Sequence, residues 1–413
     1  MEHTSFFYLF RTIAVLLGCF IFANGTFAQI DKISTDTSIL GSTSKPEKDF
    51  FDLFKKKTST NQVDVLKEKK KNKPVFISAL PAVGYSLQTG FAGIVTGNIA
   101  FYAKNVKDPK ISTISASITY SEYNQIIIPL YADILSKNGN WDLVSDNRYI
   151  SYPSNIFGLG GPTDPNKNHT INFEQIKLHQ SILRRIYKNL FLGAGFYYDQ
   201  FWNIKVIDPQ TRRINVYIQQ EFGSTQTASG PVGKLIYDSR KNQINATQGF
   251  YANATIRQSL KELGSNREWA SLLLDARAYI NFPKGSHNTL ALWSFNWLTL
   301  AGTPNYLYLP STGWDDQYNT GRGYVQSRFR GKQMIYAEAE YRYRITRNGL
   351  LGGVAFFNWQ QFYGNIKPYE PFLRGFGAGL RVRVNKKSGA NICLDYGFGK
   401  GSQGFYLNLG ELF

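Results

Sequence analysis

The chain has 413 residues, of which 47 are basic and 29 acidic, and 15% are aromatic. Its one long apolar run lies at the N-terminus, which excludes a polytopic helical membrane protein, because each spanning helix needs about 20 apolar residues. The abundance of aromatic residues disfavours a disordered chain. Two cysteines, Cys19 and Cys393, are too few for a fold held by several disulfides.

The first residues have the features of an export signal. An apolar run follows Arg11. The small residues after this run fit a signal-peptidase site that is cleaved after Ala28. We therefore predict a cleaved signal peptide over residues 1–28. Lipoprotein processing at Cys19 stays open as an alternative, because the residues that end there resemble a lipobox.

Residues 29–74 differ in composition from everything that follows. They are rich in Ser, Thr, Asp and Lys, with lysine clusters at 55–57 and 67–71. This composition predicts a flexible, Lys-rich periplasmic tether. The alternative is that the lysines contact anionic lipid headgroups or an acidic partner. No nucleic-acid partner is expected, because an exported protein meets little nucleic acid.

From residue 75 to Phe413, segments of about ten residues alternate apolar with polar side chains and are separated by Gly, Asn, Pro and Lys turns. Ile335, Ala337 and Ala339, for example, alternate with Glu338 and Arg342. A period of two gives each strand one apolar and one polar face. The predicted strands lie near 76–86, 91–103, 111–122, 124–135, 141–152, 170–185, 190–205, 214–222 or 228–238, 248–260, 267–282, 288–301, 333–345, 350–361, 371–384, 390–399 and 403–413.

Two architectures can accommodate such strands. A soluble exported sandwich buries its apolar faces, whereas a transmembrane barrel turns them toward lipid and its polar faces toward the lumen. The barrel is favoured, because charged side chains such as Glu340 and Arg342 lie in mid-strand and aromatic ones such as Tyr343 lie near strand ends. We predict an all-β, transmembrane antiparallel β-barrel over 75–413, in the bacterial outer membrane. Counting both alternatives for the eighth strand gives seventeen strands, but the even number usual in bacterial barrels selects sixteen.

A long connection, 302–332, joins predicted strands 11 and 12 and contains Arg322, Gly323 and Tyr324. Such length is uncommon in a loop without a function. One alternative leaves Arg322 solvated on an external loop. If the loop instead enters the lumen, Arg322 needs a carboxylate to offset its desolvation. The candidate carboxylates are Glu338, Glu340 and Asp395.

The last predicted strand ends on an aromatic residue. Its apolar positions are predicted to share one face, which Glu411 interrupts. A terminal aromatic side chain on the lipid face resembles the signal by which outer-membrane barrels are themselves assembled. The predicted signal residues are Phe405, Leu407, Leu409 and Phe413.

Together, three segments resemble the BamA/TamA family of outer-membrane proteins, the bacterial surface antigen barrels. They are the loop motif 322–324, the C-terminal strand, and a hairpin in which Tyr237-Asp238-Ser239-Arg240-Lys241-Asn242 is followed by Gly249-Phe250-Tyr251. The resemblance covers roughly residues 74–413. It implies that the loop folds back into the lumen. Where the family often has an acidic residue after a Phe, this chain has Asn358.

The resemblance also implies a function. It implies a weakly paired seam between the first and last strands, at which an incoming strand could be templated. Family members usually carry small periplasmic (POTRA) domains, whereas only residues 29–74 are available here. The expectation is a POTRA-less barrel that assists insertion or translocation of other outer-membrane proteins, with outer-membrane lipid and envelope partners. The alternative is a structural or passive-pore subunit of an envelope complex.

No enzymatic chemistry is expected. Of four histidines, His179 lies in a predicted strand, and none stands at metal-ligand spacing with Cys or carboxylates. The Gly-rich segment 158–162 lacks the following helix that a phosphate site needs. We therefore predict no catalytic residue, no metal and no organic cofactor.

Overall fold

The computed structural model describes residues 47–53, 75–102, 111–160, 168–208, 210–211, 213–214, 222–363, 372–386 and 388–413. The predicted signal peptide, with Cys19, and most of the predicted tether lie outside these ranges. Within them, no helix is both long and apolar enough to cross a membrane.

In the described ranges, sixteen strands form a closed barrel in which each strand is antiparallel to its neighbours along the chain, and β1 also pairs with β16. The strands are β1 Val75–Ser86, β2 Gly90–Tyr102, β3 Ile111–Ser121, β4 Ile126–Leu135, β5 Trp141–Ile156, β6 His169–Tyr187, β7 Leu190–Ile207, β8 Gln226–Asp238, β9 Gly249–Ser259, β10 Trp269–Asn281, β11 Thr289–Gly302, β12 Gln333–Arg344, β13 Leu351–Tyr363, β14 Leu373–Arg383, β15 Asn391–Gly399 and β16 Ser402–Leu409. A short 3₁₀ helix, Phe50–Leu53, precedes them.

The strand count predicted from the alternation is confirmed, with one choice resolved and one boundary corrected. Strand β8 corresponds to the second alternative for the eighth strand. Most of the first alternative, 214–222, lies outside the described residues. Strand β16 ends at Leu409 rather than at Phe413, because Gly410 adopts a positive φ of 98° that breaks the extended conformation.

The faces of the strands have the predicted orientation. On β12, Glu338 and Glu340 are buried, while Tyr343 is 38% exposed on the outer wall. On β14, Leu380 is 54% exposed and its neighbour Arg381 only 4%. Apolar side chains therefore face outward and charged ones inward, as a transmembrane barrel requires and a soluble sandwich does not.

The lumen is less polar than the alternation predicts. Strand β11 turns Trp293 and Phe295 inward, where they pack with Tyr336 and with Tyr324 and Phe329 of the long loop. A second group of buried aromatic side chains includes Tyr152 of β5, Phe173 of β6, Phe201 of β7 and Trp269 of β10. The loop 303–332 packs against both groups. Its own aromatic residues occupy space in the lumen that an open barrel would leave to water.

The seam between β1 and β16 is the weakest-paired part of the wall. Every residue of β1 has a registered partner on β2, from Val75 with Phe101 to Ser86 with Gly90. In the described chain, β1 and β16 share one registered pair, Tyr85 with Leu407. That pair lies near the C-terminal end of β1, so β16 forms no ladder with the N-terminal half of this strand.

Candidate functional site

The tip of the long loop, residues 321–324, is buried inside the barrel. Gly321 and Gly323 have φ values of +81° and +100°, and the Tyr324 N–H donates to the Gly321 carbonyl at 3.0 Å, which closes a tight turn. This turn presents Arg322, which is 2% exposed, with its guanidinium 3.6 Å from the Phe356 ring centroid. A Cβ on Gly323 would approach the Phe398 carbonyl oxygen to 2.6 Å, so only glycine fits there.

The three candidate carboxylates meet at this guanidinium. Arg322 Nη1 donates to Asp395 Oδ2 at 2.7 Å, and Nη2 donates to Glu338 and Glu340. All four side chains are at most 1% exposed. We call Glu338, Glu340 and Asp395 the carboxylate cluster. A buried arginine that loses its water is stabilised only when such carboxylates accept its hydrogen bonds.

Two further arginines share the carboxylate cluster, and the sequence patterns did not single them out. Arg342 lies 2.6 Å from Glu340, and Arg381 also donates to Asp395. Their additional positive charges allow three carboxylates to lie together in a site closed to solvent. Their positions in the sequence could have indicated this role, because both lie on the inward face of a strand beside a member of the carboxylate cluster.

The residues that follow β16, 410–413, fold into the lumen, and we call them the C-terminal tail. Arg381 Nε donates to Glu411 at 2.8 Å, and Arg342 Nη2 donates to the main-chain oxygen of Phe413 at 2.9 Å. Burial acts to raise the pKa of Glu411, but Arg381 and Arg342 hold it below its usual value. The tail is therefore bound by the same arginines that hold the carboxylate cluster.

For one residue of the predicted C-terminal signal, the sequence analysis predicted the wrong face of the wall. Phe413 was predicted to share a lipid-facing side with Phe405, Leu407 and Leu409. It is instead buried in the lumen, 5.0 Å from Trp293 between ring centroids. The first three do line the outer wall, with Leu409 50% exposed. The positive φ of Gly410 reverses the direction in which the alternation would carry the tail.

The loop tip is also fixed through its main chain. Asn358, which stands where the family often has an acid, donates to the Arg322 carbonyl at 3.0 Å rather than meeting its guanidinium. The Gly323 N–H donates to the Tyr406 hydroxyl of β16 at 2.9 Å. The Tyr324 hydroxyl donates to the Arg374 carbonyl at 2.7 Å. Strands β13, β14 and β16 thus hold the tip together with the carboxylate cluster.

A second attachment holds the loop on β5 and β6, far along the sheet from β12–β15. Lys177 Nζ lies 2.9 Å from both Asp316 of the loop and Asp146 of β5. Its charge lowers the pKa of Asp316. Arg148 Nη1 donates to the Tyr318 hydroxyl at 3.3 Å. The sequence reasoning missed this attachment, although inward-facing basic residues and a nearby acidic loop pair were visible.

The remaining charged groups of the lumen make contacts with one another. His179 Nε2 lies 2.8 Å from Asp199, and its ring stacks on Tyr197 at 3.6 Å. In the described ranges, no group of three or more His, Cys, Asp and Glu side chains has a geometry that holds a metal ion. The arrangement holds a loop and a tail inside a barrel whose seam is weakly paired.

Comparison with known proteins identifies the family. A family model described as the Omp85 superfamily domain matches residues 112–413. The chain belongs to the Omp85 superfamily. It is thus an outer-membrane barrel of a family whose members insert or translocate proteins. No curated protein sequence matches this chain.

Solved structures with the same fold include two kinds of protein. BamA from Haemophilus ducreyi lacking POTRA domains 1–3 matches with a TM-score of 0.53 at 13% identity, over 82% of this chain and 70% of that one. CdiB from Escherichia coli gives 0.55 at 10% identity, and CdiB from Acinetobacter baumannii 0.53 at 14%. Each CdiB match covers 82% of this chain, which spans 63% and 60% of their respective lengths. At these identities the likeness concerns the fold alone.

Proposed function

We propose that this Omp85 barrel assists insertion or translocation of other outer-membrane proteins, and that its β1–β16 seam is where it acts. The single observation that carries the proposal is the one registered pair, Tyr85 with Leu407, that joins these strands. An edge with unpaired N–H and C=O groups can pair with the edge of an incoming strand. Along residues 77–84, β1 has no registered partner on β16 in the described chain.

The lumen does not offer an equally good route. The loop 303–332 is attached on β5–β6 and on β12–β16, and buried aromatic residues fill the space between. This packing supports action at the wall rather than a passive pore. Stable, large unitary currents across a planar bilayer, carried by the unmodified chain, would contradict this reading and favour the passive-pore alternative.

The proposal extends to partners. A barrel that inserts other proteins must first capture them. We propose that proteins of the envelope bring clients to the seam. Co-purification in mild detergent tests this part: an envelope protein with substrate-binding domains should accompany the barrel, and purification of the barrel alone at every detergent concentration would contradict it.

A disulfide across the seam tests the proposed site. Tyr85→Cys with Leu407→Cys places two cysteines at a registered pair, within reach of a disulfide. The oxidised variant should fail to restore the levels of other outer-membrane proteins in cells depleted of the native chain, and a reductant should restore them.

The matched control joins β16 to its other neighbour. Phe398→Cys with Gln403→Cys lies at a registered pair of β15 and β16, away from the ring contact between Tyr85 and Phe405, so it fixes the last strand while leaving the seam free. It should behave as the native chain. Full activity of the oxidised seam variant would overturn the proposal, as would normal levels of outer-membrane proteins after depletion.

A further inference from the structure

Residues 47–53, which we call the docked segment, lie against the periplasmic end of the barrel. Their contacts are with two turns, the one between β12 and β13 and the one between β14 and β15. This segment belongs to the part of the chain predicted as a Lys-rich tether. Its contacts with the barrel, however, are made by carboxylates that bind basic residues of the turns. A Lys-rich tether would be expected to contribute positive charges instead.

Glu47 connects the ends of two strands. Its Oε1 lies 2.8 Å from Arg344 Nη2 at the end of β12, and its Oε2 lies 3.4 Å from Arg383 Nη1 at the end of β14. Next to it, the Lys48 N–H donates to the Asn348 carbonyl at 3.0 Å. One side chain and one main-chain group thus bind two strands and a turn.

The remaining contacts centre on Lys386. Its Nζ lies 2.7 Å from Asp52 Oδ2, and its N–H approaches Asp49 Oδ2 at 3.4 Å. The hydrogen bond that Lys386 Nζ donates to Asp52 raises the pKa of Lys386. The two aspartates also cap each other, since the Asp52 N–H donates to Asp49 Oδ1 and the Asp49 N–H donates to Asp52 Oδ2. This reciprocal capping restricts the orientation of both carboxylates.

Any one of these ion pairs, being partly exposed, would contribute little. Several made by one short segment reinforce one another, because the first contact raises the effective concentration for the others. Asp49 is 8% exposed, so its contact is screened less by salt than a surface pair. Charge is complementary in the contacts, since the turns supply Arg344, Arg383 and Lys386 and the segment supplies the carboxylates.

We infer that the β12–β13 and β14–β15 turns form a binding site for short acidic peptide segments, and that residues 47–53 of the same chain are its occupant. The site holds the chain that precedes β1 at strands β12–β15, away from the seam edge of β1. An acidic segment of another protein reaches the site only by displacing the docked segment. This inference does not depend on the proposed function at the seam.

Peptide binding to the full chain in detergent tests the site. The released variant, Glu47→Gln with Asp49→Asn and Asp52→Asn, should bind a fluorescent peptide of residues 45–54 about tenfold or more tightly than the native chain, whose site is occupied. Adding Lys386→Glu to the released variant should remove that binding. Adding Lys284→Glu, on the exposed β10–β11 turn, should leave it unchanged.

Protease protection supplies a second readout within one chain. Trypsin should cleave after Lys48 about tenfold faster in the Lys386→Glu variant, whose cleavage site is unchanged, than in the native chain or the Lys284→Glu variant. Cleavage after Lys71 gives each variant its internal reference. The inference is overturned by equal cleavage rates after Lys48 in all variants, or by peptide binding that persists with Lys386→Glu, which would show adsorption through the peptide's phenylalanines.

Discussion

The β1–β16 seam and the β12–β15 sector belong to the same sheet but are held in different ways. The seam has one registered pair in the described chain, whereas β12 and β13 pair along their whole length, from Gln333 with Tyr363 to Arg344 with Gly352. On its inner face this sector also binds the loop tip and the C-terminal tail, and at its periplasmic end the docked segment. Three long-range attachments therefore meet on this sector, whereas the single registered pair makes the seam the least restrained junction of the wall.

The last strand belongs to both regions. It forms one edge of the seam, yet Tyr406 accepts a hydrogen bond from the loop tip and Glu411 binds Arg381. Strand β1 has no comparable contact from the loop in the described structure. If the seam opens, we therefore expect β16 to stay with the β12–β15 sector, because the loop tip binds it, and β1 to be the strand that moves.

The largest expected effect comes from removing the central cation of the sector. Arg322→Ala leaves the carboxylate cluster with Arg342 and Arg381 alone, and breaking a buried ion group of this kind costs about 3–5 kcal/mol. Unfolding of the detergent-solubilised chain, followed by heat-dependent gel mobility, should show this loss. Arg322→Lys keeps the charge without the fork of donors and should lose less; equal stability of the Ala variant and the native chain would contradict the prediction.

The C-terminal tail gives the next effect. Phe413→Ala removes an aromatic side chain that packs on Trp293 inside the lumen, at a cost of about 3 kcal/mol. Phe405→Ala, on the outer wall of the same strand region, should cost about 1 kcal/mol or less, because that side is open to detergent or lipid. The two variants are compared in the same unfolding assay. A loss for Phe413→Ala no larger than that for Phe405→Ala would contradict the prediction.

The fit of the loop tip predicts a smaller loss. Gly323→Ala combines a positive φ with a Cβ that would lie 2.6 Å from the Phe398 carbonyl oxygen, and such strain costs about 1–3 kcal/mol. Gly401→Ala is its control, because Gly401 also has a positive φ, +66°, but nothing within 4 Å of the added Cβ. The loop of the Gly323 variant should become more sensitive to protease than that of the control.

The smallest predicted effect depends on pH. Arg381 and Arg342 lower the pKa of Glu411, so the stabilisation from this carboxylate is complete above its ordinary pKa and is lost as pH falls through the lowered value. Native stability should stay level from pH 7 to pH 5 and then decline by about 1 kcal/mol more than that of Glu411→Gln. Parallel declines of the two proteins would show that Glu411 contributes nothing at neutral pH.

Much of the site was predictable from local pattern. Arg322 stood out in a connection too long for a simple turn, and Glu338, Glu340 and Asp395 were on the inward faces of nearby strands. Arg342 and Arg381 had the same inward position, but nothing in a single sequence indicates which inward arginine meets which acid. Those pairings depend on how the strands and the loop come together across up to 73 residues of chain, as between Arg322 of the loop and Asp395 of β15.

The sequence by itself determined the number of strands, their two faces and the orientation of the wall, because alternation with a period of two is a local property that each strand carries alone. The tertiary structure alone decided the single seam pair, the inward course of Phe413 and the docking of Glu47–Leu53. These depend on how the barrel closes and on charges that only closure brings together. A one-residue turn such as Gly410 can redirect a tail without changing the pattern that precedes it.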